Sequence, residues 1–456
     1  MRSIAFQSRL RLSLGRDILP VVVPFLLMLA LGTTIAVALS VAIFVYCLVW
    51  YADSLGRELA IVQALALLAS GQWLLGPAIY YSVDAVAHSR YQMYVHDATY
   101  FGYMIPATLT FIFGLRVFFP QISIIQLRNY LFERRTLLVR AAYFVLFFGF
   151  VCAILADYVP AAFRFAFFLG SQATFIAVIY LIVMRSRWRW ITLAAVFGVE
   201  LAASSSEGMF HNILLWSALT LSFVCAELRL TLIAKLALLG VGIFLIVQLQ
   251  TVKETYREML TQAPTQTGVA TLARLMLSPP KPEEQWAPPA EEQLGALHAR
   301  LNQGWIISAV MAYVPRMHDF EEGRTFAIAI RDALLPRFLV EKRVVDSSDY
   351  VRRYTGLFVN RNTSFGISVP GEAWVNFGMF GIIFMFIFGA FYGIVFKGAL
   401  YVAKFYPTII LWSPLLFLQA IKTETEFVIV LNHVIKSGLF IFILYLIFNN
   451  ILRIRI

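Results

Sequence analysis

The chain has 456 residues, of which 60% are hydrophobic and 14% charged, with a formal net charge of +11. Soluble domains carry about 25% charged residues, so this composition excludes an ordinary soluble enzyme and points to a polytopic membrane protein. In such a chain a basic balance reflects cytoplasmic loops and not nucleic-acid binding.

The ruler is the span of about 20 residues that crosses a bilayer. Arg2, Arg9, Arg11 and Arg16 make the N-terminal segment basic and predict that it is cytoplasmic. No cleavable signal peptide is expected, because the apolar run from Ile18 is too long for a signal core. Residues 18–51 are apolar for too long to be one helix, and Gly32-Thr33-Thr34 is the expected turn between two spans. Further spans are expected over 58–81, 98–119, 136–158, 161–184, 191–203, 209–226 and 230–249. Arg128, Arg134 and Arg135, then Arg185, Arg187 and Arg189, then Arg229 and Lys235, mark the loops on the cytoplasmic side. Cys47, Cys152 and Cys225 sit inside apolar runs and read as small core side chains. Of the charges inside spans, Arg164 and Glu200 are the clearest, and an Arg164–Glu200 pair or a cavity-facing Arg164 is expected.

Residues 251–369 form the one long hydrophilic region, and the alternation of spans places it outside. Its first part, with Pro279, Pro280, Pro282, Pro288 and Pro289, reads as a linker. Residues 305–314 are apolar and are expected on the membrane surface. Residues 324–338 read as an amphipathic segment that Pro336 ends, laying Arg324, Arg331 and Arg337 near the interface. Three more spans, 372–396, 406–421 and 427–448, complete a plan of about twelve. The chain thus divides into an N-terminal bundle (1–250), a large outside loop (251–369) and C-terminal helices (370–456). Gly389 and Gly393 permit close helix packing, within the chain or between chains.

No P-loop, dinucleotide fingerprint, HExxH or Asp-x-Asp pair is present, which argues against ATP-driven, nicotinamide or nucleotide-sugar chemistry; no cofactor or metal is expected. What stands out is the outside loop, with Arg316, Arg324, Arg337, Arg352, Arg353 and Arg361 interleaved with carboxylates. Such residues ordinarily form solvated ion pairs, but outside loops are poor places for arginine, and guanidinium groups bind phosphate bidentately. The cluster therefore suits a lipid-linked diphosphate. His318 can act as a base or bind a hydroxyl. His211 and His433 lie near expected span ends and are weaker candidates.

Where the loop enters the membrane, the chain reads Pro370-Gly371-Glu372-Ala373-Trp374-Val375-Asn376-Phe377-Gly378-Met379-Phe380-Gly381. This stretch resembles the start of a late membrane helix in the O-antigen polymerase family (Wzy-type oligosaccharide repeat-unit polymerases). Gly323-Arg324-Thr325-Phe326 with Leu335-Pro336-Arg337 is similar to part of that family's periplasmic loop. The resemblance implies an all-α membrane fold like that of the C-type lipid-using glycosyltransferases, in the bacterial inner membrane with both termini cytoplasmic. It implies metal-independent, inverting transfer of a glycan from undecaprenyl diphosphate to a hydroxyl of the next lipid-linked repeat unit on the periplasmic face. A flippase and a chain-length regulator are the implied partners. Arg324, Arg337, Arg361, Glu372 and His318 become the catalytic candidates. Arg316, Arg352, Arg353, Asn376 and Arg164 become the binding candidates. An O-antigen ligase, which transfers finished glycan to lipid A-core, and a transporter of lipid-linked glycan remain the alternatives.

Overall fold

The computed structural model describes residues 18–82, 91–262, 267–278, 302–335, 347–359 and 366–451. The chain is an all-α polytopic membrane protein. Among the described residues there is no strand, and nine helices are long and apolar enough to cross a membrane. With no water in hydrocarbon to take up backbone polar groups, closed helical hydrogen bonding is what such apolar segments can adopt.

In chain order, α1 (Leu19–Ala30) and α2 (Ile35–Ser54) are separated at the expected turn, where Gly32 takes φ +82° and Thr34 Oγ1 accepts from Val37 N–H. Then come α3 (Ile61–Ser70), continued by a π-helical turn into α4 (Gly76–Ser82), α5 (Asp97–Phe118), α6 (Ile124–Phe132) and α7 (Arg135–Leu155). They are followed by α8 (Ala161–Ser171), α9 (Ala173–Val183), α10 (Arg189–Glu207), α11 (His211–Leu228), α12 (Leu232–Gln262) and α13 (Val269–Leu277). The C-terminal part holds α14 (Gly304–Tyr313), α15 (Arg324–Leu334), α16 (Ser347–Thr355), α17 (Ser368–Phe377), α18 (Gly381–Ala403), α19 (Ser413–Leu416) and α20 (Phe427–Leu446).

The twelve expected spans are not all of one kind. Helix α1 has only 12 residues, and α10, over the expected span 191–203, is not among the nine apolar helices. Residues 406–421 do not form a regular crossing: a 3-10 turn (Pro407–Trp412), the four-residue α19 and further turns carry the chain to Glu426. This irregular backbone is buried inside the protein, which is where it is tolerated at membrane depth. Trp412 Nε1–H donates to Tyr180 (3.1 Å) and Tyr445 Oη–H to Thr408 (3.0 Å), tying it to α9 and α20.

Two features mark the start and the middle of the hydrophilic region. Helix α12 runs 31 residues, past position 250, and its far end is fastened by Tyr256 to the Ser205 carbonyl (2.9 Å) and Arg257 to the Gly208 carbonyl (3.0 Å). Residues 305–314, expected on the membrane surface, are enclosed by other helices. They form α14, in which Ile306, Ile307 and Val310 are wholly buried, packed against α16 and α17. A ten-residue apolar helix is too short to span a bilayer but long enough to fill a core. The Pro-rich stretch 279–301 lies outside the described residues.

Helices α5 and α18 pack closely along their length. A Cβ at Gly114 would stand 2.4 Å from the Phe386 carbonyl oxygen, and one at Gly389 would stand 2.3 Å from that of Phe111. The small residues therefore serve contact within the chain, which settles the role of Gly389 and Gly393. Rings of Phe111, Phe388 and Tyr392 fill the flanks.

Candidate functional site

The site is built where α17 meets α15, α16 and the first turn of α20. Glu372 and Asn376, one helical turn apart on α17, face the same side. Glu372 is 0% exposed. Its Oε1 accepts from Thr325 Oγ1–H (2.8 Å), and its Oε2 accepts from Phe427 N–H (3.0 Å), the first backbone donor of α20. Asn376 Nδ2–H donates to Thr325 Oγ1 (2.7 Å) and to the Glu372 carbonyl (2.8 Å), while its Oδ1 faces Thr325 N–H (3.4 Å). The network fixes α15 to α17 and caps α20 with a carboxylate, favourable for a helix N-terminus. Helix α15 turns its other buried face inward through Phe326, which stacks on Phe384 (3.8 Å between centroids). Its outer face exposes Arg324, Ile330, Arg331 and Leu334, the amphipathic arrangement the sequence suggests.

The segment before α15 is fastened along α17. Trp374 Nε1–H donates to the Val314 carbonyl (3.0 Å) and Glu321 N–H to the Val375 carbonyl (3.0 Å). Two glycines at positive φ interlock with rings: Gly378 (φ +55°) leaves room for Phe320, and Gly323 (φ +89°) sits against Phe377. A Cβ at Gly378 would come within 2.9 Å of the Phe320 ring.

This fastening delivers Glu321, whose side chain is 7% exposed, to the foot of α16. Its Oε1 accepts from Arg353 (2.6 Å) and from Tyr354 Oη–H (2.9 Å). Arg353 Nε–H also points to His318 Nε2 (3.3 Å), and the guanidinium lies over the Tyr354 ring (5.2 Å). On the other side of the imidazole, His318 Nδ1 is 2.7 Å from the Asp319 carbonyl. A carbonyl can only accept, so Nδ1 carries the proton and Nε2 is left with a lone pair facing the guanidinium. Burial and the neighbouring Glu321 hold the Tyr354 phenol well above its usual range, so it remains a neutral donor. Arg352 pairs with Asp349 on the surface of α16 itself.

Behind α16 stands a second buried carboxylate. Glu426, 0% exposed, accepts from Ser347 Oγ–H (3.2 Å), and its Oε1 has no hydrogen-bond partner among the described residues. Burial pushes its carboxyl up to about 7. A Cβ at Gly366 would fall on the Glu426 carboxylate, so the chain passes it closely.

Of the residues the sequence singles out, the structure brings together His318, Arg353, Glu372 and Asn376, with Arg316 and Arg324 on the flanking segment. Arg316 and Arg324 are exposed and make no ion pair among the described residues. Glu372 and Asn376 are enclosed and fully engaged, which makes them supports of the site. Arg337 and Arg361 lie outside the described residues. Arg164 is exposed on α8 and does not pair with Glu200, which accepts instead from Asn212 (2.7 Å). Sequence reasoning passed over Glu321, Thr325, Tyr354 and Glu426 as site members. Their partners lie 32 to 79 positions away, and no local pattern marks such pairs.

Fold and site together define a multi-pass membrane protein that carries a cationic and aromatic cluster on a buried carboxylate–amide frame. No protein-family model, no curated protein and no solved structure matches the chain.

Proposed function

We propose that the protein is a membrane glycosyltransferase that joins polyprenyl-diphosphate-linked oligosaccharide repeat units into a surface polysaccharide, on the periplasmic face of a bacterial inner membrane. The observation that carries this is Arg353, held on Glu321 with His318 at its edge, beside the unpaired Arg316 and Arg324. Exposed arginines that pair with no carboxylate among the described residues, at the start of a membrane helix, suit a lipid-borne diphosphate. The resemblance of 370–381 and 323–337 to repeat-unit polymerases supports the same class.

In the proposed reaction an acceptor hydroxyl oxygen attacks the anomeric carbon of the donor glycan. The bond from that carbon to the diphosphate oxygen breaks, and polyprenyl diphosphate leaves with the electron pair. Arg324, Arg353 and Arg316 neutralise the negative charge that builds on it. His318 Nε2, whose lone pair is freed when the Arg353 guanidinium turns to the diphosphate, takes the hydroxyl proton. Glu372 and Asn376 act as positioning residues that hold α15, and hence Arg324, against α17 and α20.

The test is the full-length protein in detergent, supplied with lipid-linked repeat units extracted from cells lacking its gene, with a chelator present. A ladder of lengthened lipid-linked glycan is expected. Repeat units that stay single under every condition would overturn the proposal.

A further inference from the structure

A single carboxylate oxygen gathers the loop cluster. Glu321 Oε1 accepts from Arg353 Nη2–H (2.6 Å) and from Tyr354 Oη–H (2.9 Å), and it stands 3.7 Å from His318 Nε2. That last distance joins two acceptors. The proton of the neutral ring is on Nδ1, against the Asp319 carbonyl (2.7 Å), so Nε2 and Oε1 approach each other with lone pairs. The Arg353 guanidinium makes the approach tolerable because it donates to both, Nη2–H to the carboxylate and Nε–H to the imidazole (3.3 Å).

The members of this cluster differ in how firmly the fold holds them. Glu321 is fixed through its own N–H to the Val375 carbonyl of α17 (3.0 Å), and Tyr354 is buried in α16. Arg353 has 48% of its side chain exposed. A half-exposed guanidinium can exchange a carboxylate for a phosphate, which it binds with the same donor geometry. Glu321 and His318 would then be left facing each other with no cation between them, an arrangement that a proton on Nε2 relieves.

We infer that Glu321 is a positioning residue that couples the base to the donor: it holds Arg353 across His318 Nε2 until a lipid diphosphate draws the guanidinium away, and then holds the imidazolium. The inference rests on the function proposed above and describes how that site is regulated. In the empty site Arg353 covers Nε2. With the donor bound, an acceptor hydroxyl gives its proton to Nε2 as its oxygen attacks the anomeric carbon. The electron pair of the broken carbon–oxygen bond leaves with the polyprenyl diphosphate. The imidazolium donates Nε2–H to Glu321 Oε1, across the gap that now measures 3.7 Å. When the lipid departs, Arg353 returns, two cations compete for one oxygen, and the proton passes to water. The base is therefore uncovered only while a donor is in place.

Diethyl pyrocarbonate, which acylates an uncovered neutral imidazole nitrogen, tests this without relying on turnover when the His318 peptide is followed by mass spectrometry. In the full-length protein, saturating undecaprenyl diphosphate should speed modification of His318 about tenfold, as release of one charge-assisted hydrogen bond implies. A ligand that merely lies over a histidine protects it, so slower or unaltered modification would overturn the inference. Inorganic pyrophosphate should act alike but only at higher concentration. Pyrophosphate effective at the concentration of the lipid would overturn the lipid donor as the trigger. In Arg353→Gln modification should be fast without any ligand and indifferent to it. Glu321→Gln, which keeps an acceptor but loses the charge, should also react fast when empty, and its glycan lengthening should fall in kcat with KM nearly unchanged. A Glu321→Gln protein that keeps the ligand dependence of the wild type would remove Glu321 from the exchange. The wild-type comparison decides the matter even where a variant fails to fold. The outcomes separate from the polymerase proposal: lengthened glycan from a protein whose His318 is protected by donor removes only the exchange. Donor-triggered modification in a protein that never lengthens glycan removes only the polymerase.

Discussion

Two arginine-rich regions invite comparison. Around Glu227, a carboxylate with 8% of its side chain exposed holds Arg128 (3.3 Å) of α6 with Arg185 (3.0 Å) and Arg189 (3.1 Å) of the connection from α9 to α10. Around Glu321, an equally buried carboxylate holds one arginine, Arg353, and shares the same oxygen with Tyr354, while Arg316 and Arg324 nearby are exposed and unpaired among the described residues. The first region saturates one carboxylate with cations and serves as a brace between loops. The second holds one arginine between a carboxylate, a neutral phenol and a histidine, and leaves two more exposed, as the proposed binding of an anion requires. Arginine count alone does not distinguish the two clusters; whether each arginine reaches a carboxylate does.

The largest expected effect breaks the brace. Glu227→Gln leaves three guanidinium groups with no counter-charge and should destabilise the fold by about 3–5 kcal/mol, read as loss of monodisperse protein on mild heating. An unaltered melting profile would make the brace dispensable. At the other region the pattern should invert: Arg324→Glu lowers glycan lengthening by roughly 10²-fold, as loss of one charge that stabilises a transition state does, with melting essentially unchanged, whereas Arg353→Gln lowers it similarly and also melts earlier, because it strips the buried Glu321 of its partner. Activity retained with normal expression would remove that arginine from the site. Smaller is the effect of Asn376→Ala, which leaves Thr325 and the Glu372 carbonyl short of a donor. A loss of about 1–3 kcal/mol is expected, together with a fall in activity that Asn376→Gln does not rescue. Normal stability in the alanine variant would show that the frame tolerates the gap.

The smallest effect concerns pH. Burial lifts the Glu426 carboxyl from the usual 4.5 to about 7, with Glu424 close enough to add to the shift. Between those values the folded protein keeps a proton that the unfolded chain has released. Stability therefore declines as pH rises through that window and levels off above it. Glu426→Gln should flatten the decline by a few degrees of melting temperature between pH 5 and pH 8. A decline of the same slope in the variant would assign it to other groups.

Much of this fold was legible because hydropathy sets spans and turn residues separate them: the break at Gly32–Thr34 and the amphipathic α15 follow from local pattern. What local pattern does not carry is partnership across the chain. Glu372 reads as a carboxylate suited to the dipole of its own helix, yet it caps α20, 55 positions later. Residues 305–314 read as a surface segment because their burial comes from α16 and α17, not from their own period. Within 406–421, Pro407 and Pro414 fall at the starts of the 3-10 turn and of α19, so an apolar stretch of adequate length folds in short pieces and not as one helix. Of the site, the arginines and His318 were visible as types in one loop. Their orientation by Glu321 and Tyr354 was not.

The most direct measurement is a gel of surface polysaccharide from cells in which the gene is deleted. Glycan that still reaches the surface but carries a single repeat unit, restored to long chains by the wild-type gene and not by Arg353→Gln, is the predicted result. Long lipid-linked chains accumulating without attachment would mean a ligase, and an unchanged pattern would contradict glycan polymerisation altogether.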